Sequence, residues 1–438
     1  MDLEKIRLHV GEMILRFSIP SIISMLMTSM ITVADGFFIG NYVGKEGVAA
    51  VNLGLPVIYL FLAAGLMIAV GGAAIAGMAF GAGDKKMCGD VFCQTVAEAL
   101  AAGIVMGILV SLCFTPMMKL LHADGLVRGY FREYYEILLF ELPVMTLNSL
   151  LGMFIRQEGD PGYFMKVNVF HVVLNIALDA AFSEWFGWGV GGIAAASLLA
   201  ALTALLCNLY FFEKKANVYR LRRFTFSGKV LRSTLLNGSS ELIGELSLGI
   251  AMFAYNFVIM RRVGVDGVTA FTVVGYTSYL FNMILIGFGQ GASPLVSFVY
   301  GAGQKKLART IRKKTNLYVF FAGTVVILIM TLVSGQYGAL FVKNEAVISM
   351  IRSGTRIFVL SFLFSGVNTI TSFYFTAIGK AKESALISSS RGLVVLLICI
   401  FVLPALFGMT GVWLAAPVTE SVTGLLTAYF IYIEKRPL

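Results

Sequence analysis

Two aspartates interrupt stretches of the sequence in which a charged group has no obvious contact with water. Asp179 stands in VVLNIALDAA (172–181), where Asn175 is the only other polar residue, and Asp35 stands in the similarly apolar ITVADGFF (31–38). A charged side chain at the centre of a membrane helix costs roughly 2.5 to 3.5 kcal/mol on insertion scales. Either these segments lie outside the lipid bilayer, or the two aspartates have a functional role within it.

The composition indicates a membrane protein. Of 438 residues, 58% are hydrophobic and 13% are charged, and apolar runs of a length that can cross a bilayer recur along the chain. We predict an all-α polytopic membrane protein with twelve transmembrane helices. The predicted spans are 13–39, 48–70, 91–113, 134–155, 164–183, 190–212, 237–260, 268–299, 317–334, 355–377, 384–406 and 410–432.

The two halves of the chain match each other at an offset of 220 residues. VGKEGVAAV at 43–51 matches VGVDGVTAF at 263–271, and FGAGDKK at 80–86 matches YGAGQKK at 300–306. Such a repeat predicts two pseudo-symmetric six-helix bundles, and internal repeats of this kind are frequent in secondary transporters. The predicted domains are an N-terminal lobe at 1–212, a basic cytoplasmic linker at 213–235 and a C-terminal lobe at 236–438.

Basic residues predict the orientation in the membrane. If the N-terminus is cytoplasmic, the cytoplasmic segments hold most of the 34 Lys and Arg residues, including seven between the sixth and seventh spans. This bias predicts a multi-pass protein of the inner (cytoplasmic) cell membrane with both termini in the cytoplasm. The net charge of +10 then reflects topology and attraction to anionic lipid, and we expect no nucleic-acid partner.

The repeat makes the aspartates informative, because packing residues should recur while special chemistry need not. At the offset of 220, Asp35 aligns with Tyr255 and Asp179 with Cys399, so both acids belong to the N-terminal half alone. Asn175 lies one turn before Asp179 on the same helix face, and its amide can hydrogen-bond a carboxyl in either protonation state. We expect a localised proton or ion site. The alternative is that each acid is a satisfied interhelical hydrogen-bonding residue.

A hinge and a second polar site are also predicted. Pro20 precedes Asp35 by fifteen residues in the first span, where a proline frees a carbonyl and produces either a hinge or a static kink. Arg391 lies in a predicted span and needs a carboxylate partner, either Glu420 or a glutamate of the seventh span. The candidates for this C-lobe site are Glu241, Glu245, Gln290, Arg391 and Glu420.

Three longer motifs resemble one transporter family. IPSIISMLMTSMITVADGFFIGNYVG, RQEGDPGYFMKVNVFHVVLNIALD followed by GWGVGGIAAAS, and GFGQGASPLVSFVYGAG resemble the multidrug and toxic compound extrusion (MATE) transporters, particularly the bacterial branch with an aspartate on the first helix. The resemblance implies that binding of H⁺ or Na⁺ at an N-lobe site bends the first helix at Pro20 and expels drug. The residues implied for this site are Asp35, Asn175, Asp179 and Ser197.

The resemblance has two further consequences for single positions. Ser197 stands where threonine is usual in the family, which keeps the hydroxyl group. Glu245 resembles the glutamate of the seventh helix that the sodium-coupled branch uses.

The expected function is secondary active antiport by rocker-type alternating access. The protein would export amphipathic, mostly cationic organic compounds in exchange for H⁺ or Na⁺, as a monomer in the lipid bilayer. The alternative is a flippase for a lipid-linked oligosaccharide, which would favour a cavity rich in Arg and Lys, whereas the sequence places only Arg391 deep in a span. We expect no enzymatic activity, since HExxH and GxSxG are absent. The spacing of His and Cys predicts no metal site, and no cofactor is expected apart from the coupling ion.

Overall fold

The structure, a computed structural model, describes residues 1–120 and 125–435. The described chain is helical, without strands, and a short helix (Leu3–Leu8) precedes the spans. Spans 1 to 6 are Val10–Tyr42, Lys45–Gly81, Lys85–Leu120, Gly125–Glu158, Pro161–Ala180 with a π turn at Ala181–Trp185, and Gly189–Lys214. Spans 7 to 9 are Gly228–Arg262, Val265–Gly301 and Lys305–Tyr337. Span 10 runs from Glu345–Phe358 through a 3₁₀ turn (Val359–Ser361) to Phe362–Ala377.

The last two spans form one continuous segment with a kink inside it. It comprises Ala381–Ser389, a π turn at Ser390–Val394, and Val395–Lys435. Together these make 55 residues, about 80 Å of helix against a hydrocarbon thickness of about 30 Å. Gly408 breaks the run with φ 57° and ψ −136°, so it contains spans 11 and 12. The prediction of twelve transmembrane helices in an all-α protein is confirmed.

The helices extend beyond the predicted spans. Span 9 was predicted at 317–334 but runs from Lys305 to Tyr337. Hydropathy identifies the part of a helix that contacts lipid, whereas the hydrogen-bonded helix continues through the polar residues that precede it. The difference matters for Arg312, which the sequence placed in a loop and which lies within a helix.

Backbone geometry repeats between the two lobes. Gly83 (φ 80°) and Gly303 (φ 76°) are repeat mates, as are Gly159 (φ 101°) and Gly379 (φ 76°). All four end a helix in the left-handed region that glycine adopts without strain. The sequence repeat therefore corresponds to a repeat of turn conformation.

An asparagine bridge also repeats. Asn148 donates to a backbone carbonyl of span 6 at 2.8 Å and accepts from Asn208 at 2.9 Å. Its mate Asn368 donates to a backbone carbonyl of span 12 at 2.9 Å and accepts from Thr427 at 2.8 Å. Spans 4 and 6 of one lobe are thus joined in the same way as spans 10 and 12 of the other.

Glycines allow the lobes to approach closely on the side of the chain termini. A Cβ atom on Gly81 of span 2 would overlap the carbonyl oxygen of Phe298, and one on Gly301 of span 8 would overlap that of Met78. Residues 81 and 301 are repeat mates, as are 78 and 298. The crossing of spans 2 and 8 is therefore reciprocal about the pseudo-two-fold axis.

A second pair of crossings follows the same rule. Gly71 of span 2 lies against the backbone at Gly238 of span 7, and its mate Gly291 of span 8 lies against Ser18 of span 1. These positions all belong to the halves of their helices nearest the termini. By contrast, a Cβ atom added to Gly36, Gly249 or Gly275 in the other halves meets nothing within 4 Å.

The start of the chain packs on the opposite lobe. Ile6 and Ile14 are fully buried in a cluster with Val299, Ile311 and Phe375 of the C-terminal lobe. Span 1 thus begins against the C-terminal lobe and reaches the N-terminal lobe in its second half, where Phe38 packs with Ile193 of span 6.

Candidate cation site in the N-terminal lobe

The four residues predicted for the N-lobe site come together from three helices. Asp35 lies on span 1, Asn175 and Asp179 on span 5, and Ser197 on span 6. The Asn175 amide donates to Ser197 Oγ at 3.0 Å, and Ser197 Oγ lies 3.5 Å from Asp35 Oδ2, a long hydrogen bond. Asn175 and Asp179 have no exposed surface and Ser197 has 4%. The spacing of four residues along span 5 places both of its polar side chains in this site.

The site holds hydrogen-bond acceptors that have no donor. Asp35 Oδ1, Asn175 Oδ1 and both carboxyl oxygens of Asp179 are buried without a hydrogen-bond partner. Neither aspartate takes part in a salt bridge of the described chain. Buried oxygens of this kind are stable only when a positive charge satisfies them, either as protons on the carboxyls or as a cation with oxygen ligands. The arrangement can therefore bind H⁺ or a hard cation such as Na⁺.

Glu141 is a further carboxyl that the sequence prediction missed. It lies on span 4 with 6% of its surface exposed, and its charge interacts with those of Asp35 and Asp179. Tyr134 lies seven residues earlier on the same helix, and it interacts electrostatically with Glu141, Asp35 and Asp179. The repeat offers the missing signal, because Glu141 aligns with Ser361 at the offset of 220 and is another acid found in the N-terminal half alone.

Pro20 lies inside span 1, where this helix contacts the other lobe. It has no N–H, so the carbonyl one turn earlier loses its helix partner, and the Ser24 hydroxyl donates to the Pro20 carbonyl at 2.9 Å. Two residues before Pro20, Ser18 makes the close contact with Gly291. The proline thus lies within the stretch of span 1 that the C-terminal lobe contacts, because Gly287 of span 8 also lies against Ile22, two residues after Pro20.

The polar residues predicted for the C-terminal lobe separate into three places. Arg391 pairs with Glu420 through Nε at 3.1 Å and Nη2 at 2.7 Å, and Arg391 Nη1 donates to Thr369 at 2.7 Å. Asn368 donates to the other carboxyl oxygen of Glu420 at 2.7 Å. Of the two partners expected for Arg391, the structure selects Glu420, and the network is fully hydrogen-bonded.

The glutamates of span 7 lie beside this network, toward the other lobe. Glu241 interacts electrostatically with Glu245 and Arg391. Glu245 interacts with Tyr59 of the N-terminal lobe and with Tyr279 of span 8. Glu245 is therefore close to the boundary between the lobes.

Gln290 is not joined to either group. It lines a cavity of about 30 Å³ at the crossing of the lobes, together with Gln157, Ser297 and Thr376. Within residues 1–120 and 125–435, no group of three or more His, Cys, Asp or Glu side chains is arranged to hold a metal ion.

Comparison with known proteins decides the family. The MatE family model matches residues 20–181 and 243–402, which is well over half of the chain and includes both lobes. The chain belongs to the MATE family. As a MATE protein it is a membrane transporter and not an enzyme, and the family predicted from the motifs is confirmed.

Relatives of this MATE transporter match it along almost its whole length. It is 23% identical to the multidrug export protein MepA of Staphylococcus saprophyticus, over 99% of this chain and 96% of the relative. A solved structure described as the outward-facing conformation of a multidrug resistance MATE family transporter superposes with a TM-score of 0.90 and 25% identity, over 98% of this chain and 97% of the other. A Pyrococcus furiosus transporter of the MOP superfamily, described as having a binding pocket of reverse polarity that suggests a different function, superposes with a TM-score of 0.89 and 25% identity, over the same shares.

Proposed function

We propose that this MATE transporter is a monomeric antiporter that exports amphipathic organic cations in exchange for H⁺ or Na⁺ bound in the N-terminal lobe. One observation carries the proposal: Asp35, Asn175 and Asp179 direct four buried acceptor oxygens without donors into one site. A static structural site would satisfy these oxygens with protein donors. A site that gains and loses a positive charge during each transport cycle needs acceptor oxygens that are free to bind the ion.

Export of drug-like compounds is supported by the relatives, which are named multidrug export proteins. The chemistry near the lobe boundary fits a flat organic cation. Glu245 supplies a carboxylate there, and Tyr59 and Tyr279 supply aromatic rings, whose faces attract cations. The flippase alternative requires free basic groups in a cavity large enough for a pyrophosphate. Arg391 is already bound to Glu420, and the cavity beside the unpaired Arg312 has a volume of only about 10 Å³.

Coupling would run through span 1. Asp35 contributes to the cation site, while Ser18 on the same helix is held against Gly291 of the other lobe. Neutralising the aspartates changes the hydrogen bonds that Asp35 can make. A bend at Pro20 would then let the Asp35 end of the helix move relative to the segment from Ser18 to Ile22 that packs on span 8. The movement would alter the space between the lobes, near Glu245, in which we propose that the substrate binds.

The orientation follows from the positive-inside bias. With cytoplasmic termini, the close glycine crossings lie at the cytoplasmic face, so this conformation is closed toward the cytoplasm and its cleft opens outward. Alternating access then requires spans 2 and 8 to separate at Gly81 and Gly301 and the lobes to meet on the opposite side.

Ethidium uptake into everted vesicles, whose cytoplasmic face points outward, tests the proposal. The vesicles should be energised separately by a proton gradient and by a sodium gradient, and at least one should drive transport by the wild type. Asp35→Asn and Asp179→Asn should abolish gradient-driven transport without loss of folded protein, whereas Asp266→Asn, at an exposed position, should transport like the wild type. Gradient-driven uptake by a folded double variant at the wild-type rate would show that the site does not couple transport.

A further inference from the structure

Arg312 is a buried arginine with unsatisfied donors. It has 2% of its surface exposed, and its Nε and Nη1 atoms have no hydrogen-bond partner in the described protein. Because span 9 begins at Lys305, Arg312 lies about 10 Å along the helix at 1.5 Å per residue. Arg312 is therefore a buried arginine within the polar end of span 9, ahead of the predicted apolar span 317–334.

The Arg312 side chain lines a small, partly open cavity between spans 8, 9 and 10. Gly289, Thr315, Phe373 and Tyr374 are among the other lining residues, and all of these are buried. The cavity has a volume of about 10 Å³. This is just enough for one atom of the size of water, so chloride, which is larger, requires the lining side chains to shift slightly.

The hydroxyl groups around the cavity are already donating. Ser293 donates to a carbonyl of its own helix at 2.8 Å, Thr315 does the same at 2.9 Å, and Tyr374 donates to Glu434 at 3.3 Å. The guanidinium group of Arg312 therefore holds the spare N–H groups of this cavity. It also lies over the ring of Tyr374, 4.9 Å from the centroid.

The charges near the cavity do not balance. Arg309 binds Glu434 through Nε at 2.8 Å and donates from Nη2 to the Glu434 carbonyl at 2.6 Å. Glu434 is thus paired with Arg309 through Oε1, while its buried Oε2 has no hydrogen-bond partner. Arg312 interacts with Arg309 and Glu434 only at longer range. The cluster of two arginines and one glutamate has a net charge of +1. The aromatic face attracts the guanidinium but cannot neutralise it.

We propose that Arg312 binds one small monovalent anion, of the size of chloride, in this cavity. A buried charge without a counter-charge is strongly destabilising, and an anion would supply the missing charge and accept from the spare N–H groups. The volume excludes phosphate, a lipid headgroup or an organic substrate. The bound anion would stabilise the packing of span 9 against spans 8 and 10, independently of the cation site in the other lobe.

Thermal unfolding of the purified full chain tests this site. Potassium chloride should replace potassium gluconate at constant ionic strength, since gluconate is too large for the cavity. The unfolding temperature of the wild type should rise and saturate, by about 1 to 2 °C at ten times the dissociation constant. Arg312→Met should lose this response, and Arg132→Gln, which removes an exposed arginine, should keep it.

Two results would overturn the proposal. One is an unfolding temperature of the wild type that is equal in chloride and gluconate, which would indicate that a water molecule or Glu434 satisfies Arg312. The other is a chloride response in Arg312→Met equal to that of the wild type. If Arg312→Met does not fold, wild-type crystals soaked in bromide provide the second measurement. They should show an anomalous peak beside the guanidinium, and its absence would count equally against the site.

Discussion

Ser18 of span 1 and Gly291 of span 8 are in contact through their backbones, so tightly that a Cβ atom on Gly291 would overlap Ser18. The contact joins the helix of Asp35 to the opposite lobe two residues before Pro20. Its repeat mate, the contact of Gly71 with Gly238, joins spans 2 and 7 in the same way. The candidate cation site of one lobe and the close contact with the other lobe therefore lie on a single continuous helix.

Gly81→Ala and Gly301→Ala should each prevent full closure at the termini. The added methyl group has no space beside the carbonyl of the crossing helix, and the two effects should be similar because the contacts are reciprocal. We expect slower ethidium export. We also expect faster thiol labelling of a cysteine introduced at Ser297, in a background without the native cysteines. Gly275→Ala, which meets open space, is the matched control, and equal labelling in all variants would contradict the role of the crossing.

Pro20→Ala should restore a helix hydrogen bond and stiffen span 1. We expect a lower maximal rate of export with a smaller change in the substrate concentration that gives half-maximal rate. Concentration-dependent efflux in proteoliposomes measures both quantities. Pro116→Ala in span 3 is the control for loss of a proline elsewhere. An unchanged maximal rate would mean that Pro20 produces only a static kink.

Glu141→Gln should weaken cation binding in the N-terminal lobe, because it removes a negative charge that interacts with both aspartates. A loss of about 1 kcal/mol, or roughly fivefold in affinity, is expected for a charge near but not in the site. The ion concentration required for half-maximal efflux measures the effect. Glu136→Gln, on the exposed face of the same helix, should leave it unchanged. If both variants require the same ion concentration for half-maximal efflux, Glu141 does not contribute to cation binding.

Arg391 and Glu420 should stabilise the C-terminal lobe as a pair. Arg391→Met or Glu420→Gln alone should destabilise the protein by up to about 3 kcal/mol, because each leaves a partly buried polar partner unpaired. The double variant should lose less than the sum of the two. Thermal unfolding of the four proteins gives this interaction energy. Strict additivity would show that the two side chains contribute independently.

Sequence reasoning predicted the fold and placed the four residues of the N-lobe site, for identifiable reasons. Hydropathy locates the lipid-facing part of each helix, and the repeat distinguishes shared packing residues from unshared acids such as Asp35 and Asp179. The spacing of Asn175 and Asp179 then gives a common helix face.

Other features depend on information that these patterns lack. Arg312 was missed because hydropathy does not show where the polar end of a helix begins. The choice of Glu420 by Arg391 depends on how spans 11 and 12 are rotated. The reciprocal contact of Gly81 and Gly301 requires knowledge of which helices cross at the pseudo-two-fold axis.

Proton release on substrate binding tests the central claim most directly. In an exchanger, the substrate and the coupling ion oppose each other, so each must weaken the binding of the other by the same free energy, typically 1 to 3 kcal/mol, or about five- to 150-fold. Purified protein in weakly buffered, sodium-free solution near neutral pH should release protons when ethidium is added. The Asp35→Asn, Asp179→Asn double variant should bind ethidium and release none. Equal release by the wild type and the double variant would contradict the assignment of coupling to these aspartates and would direct attention to Glu241 and Glu245 in the other lobe.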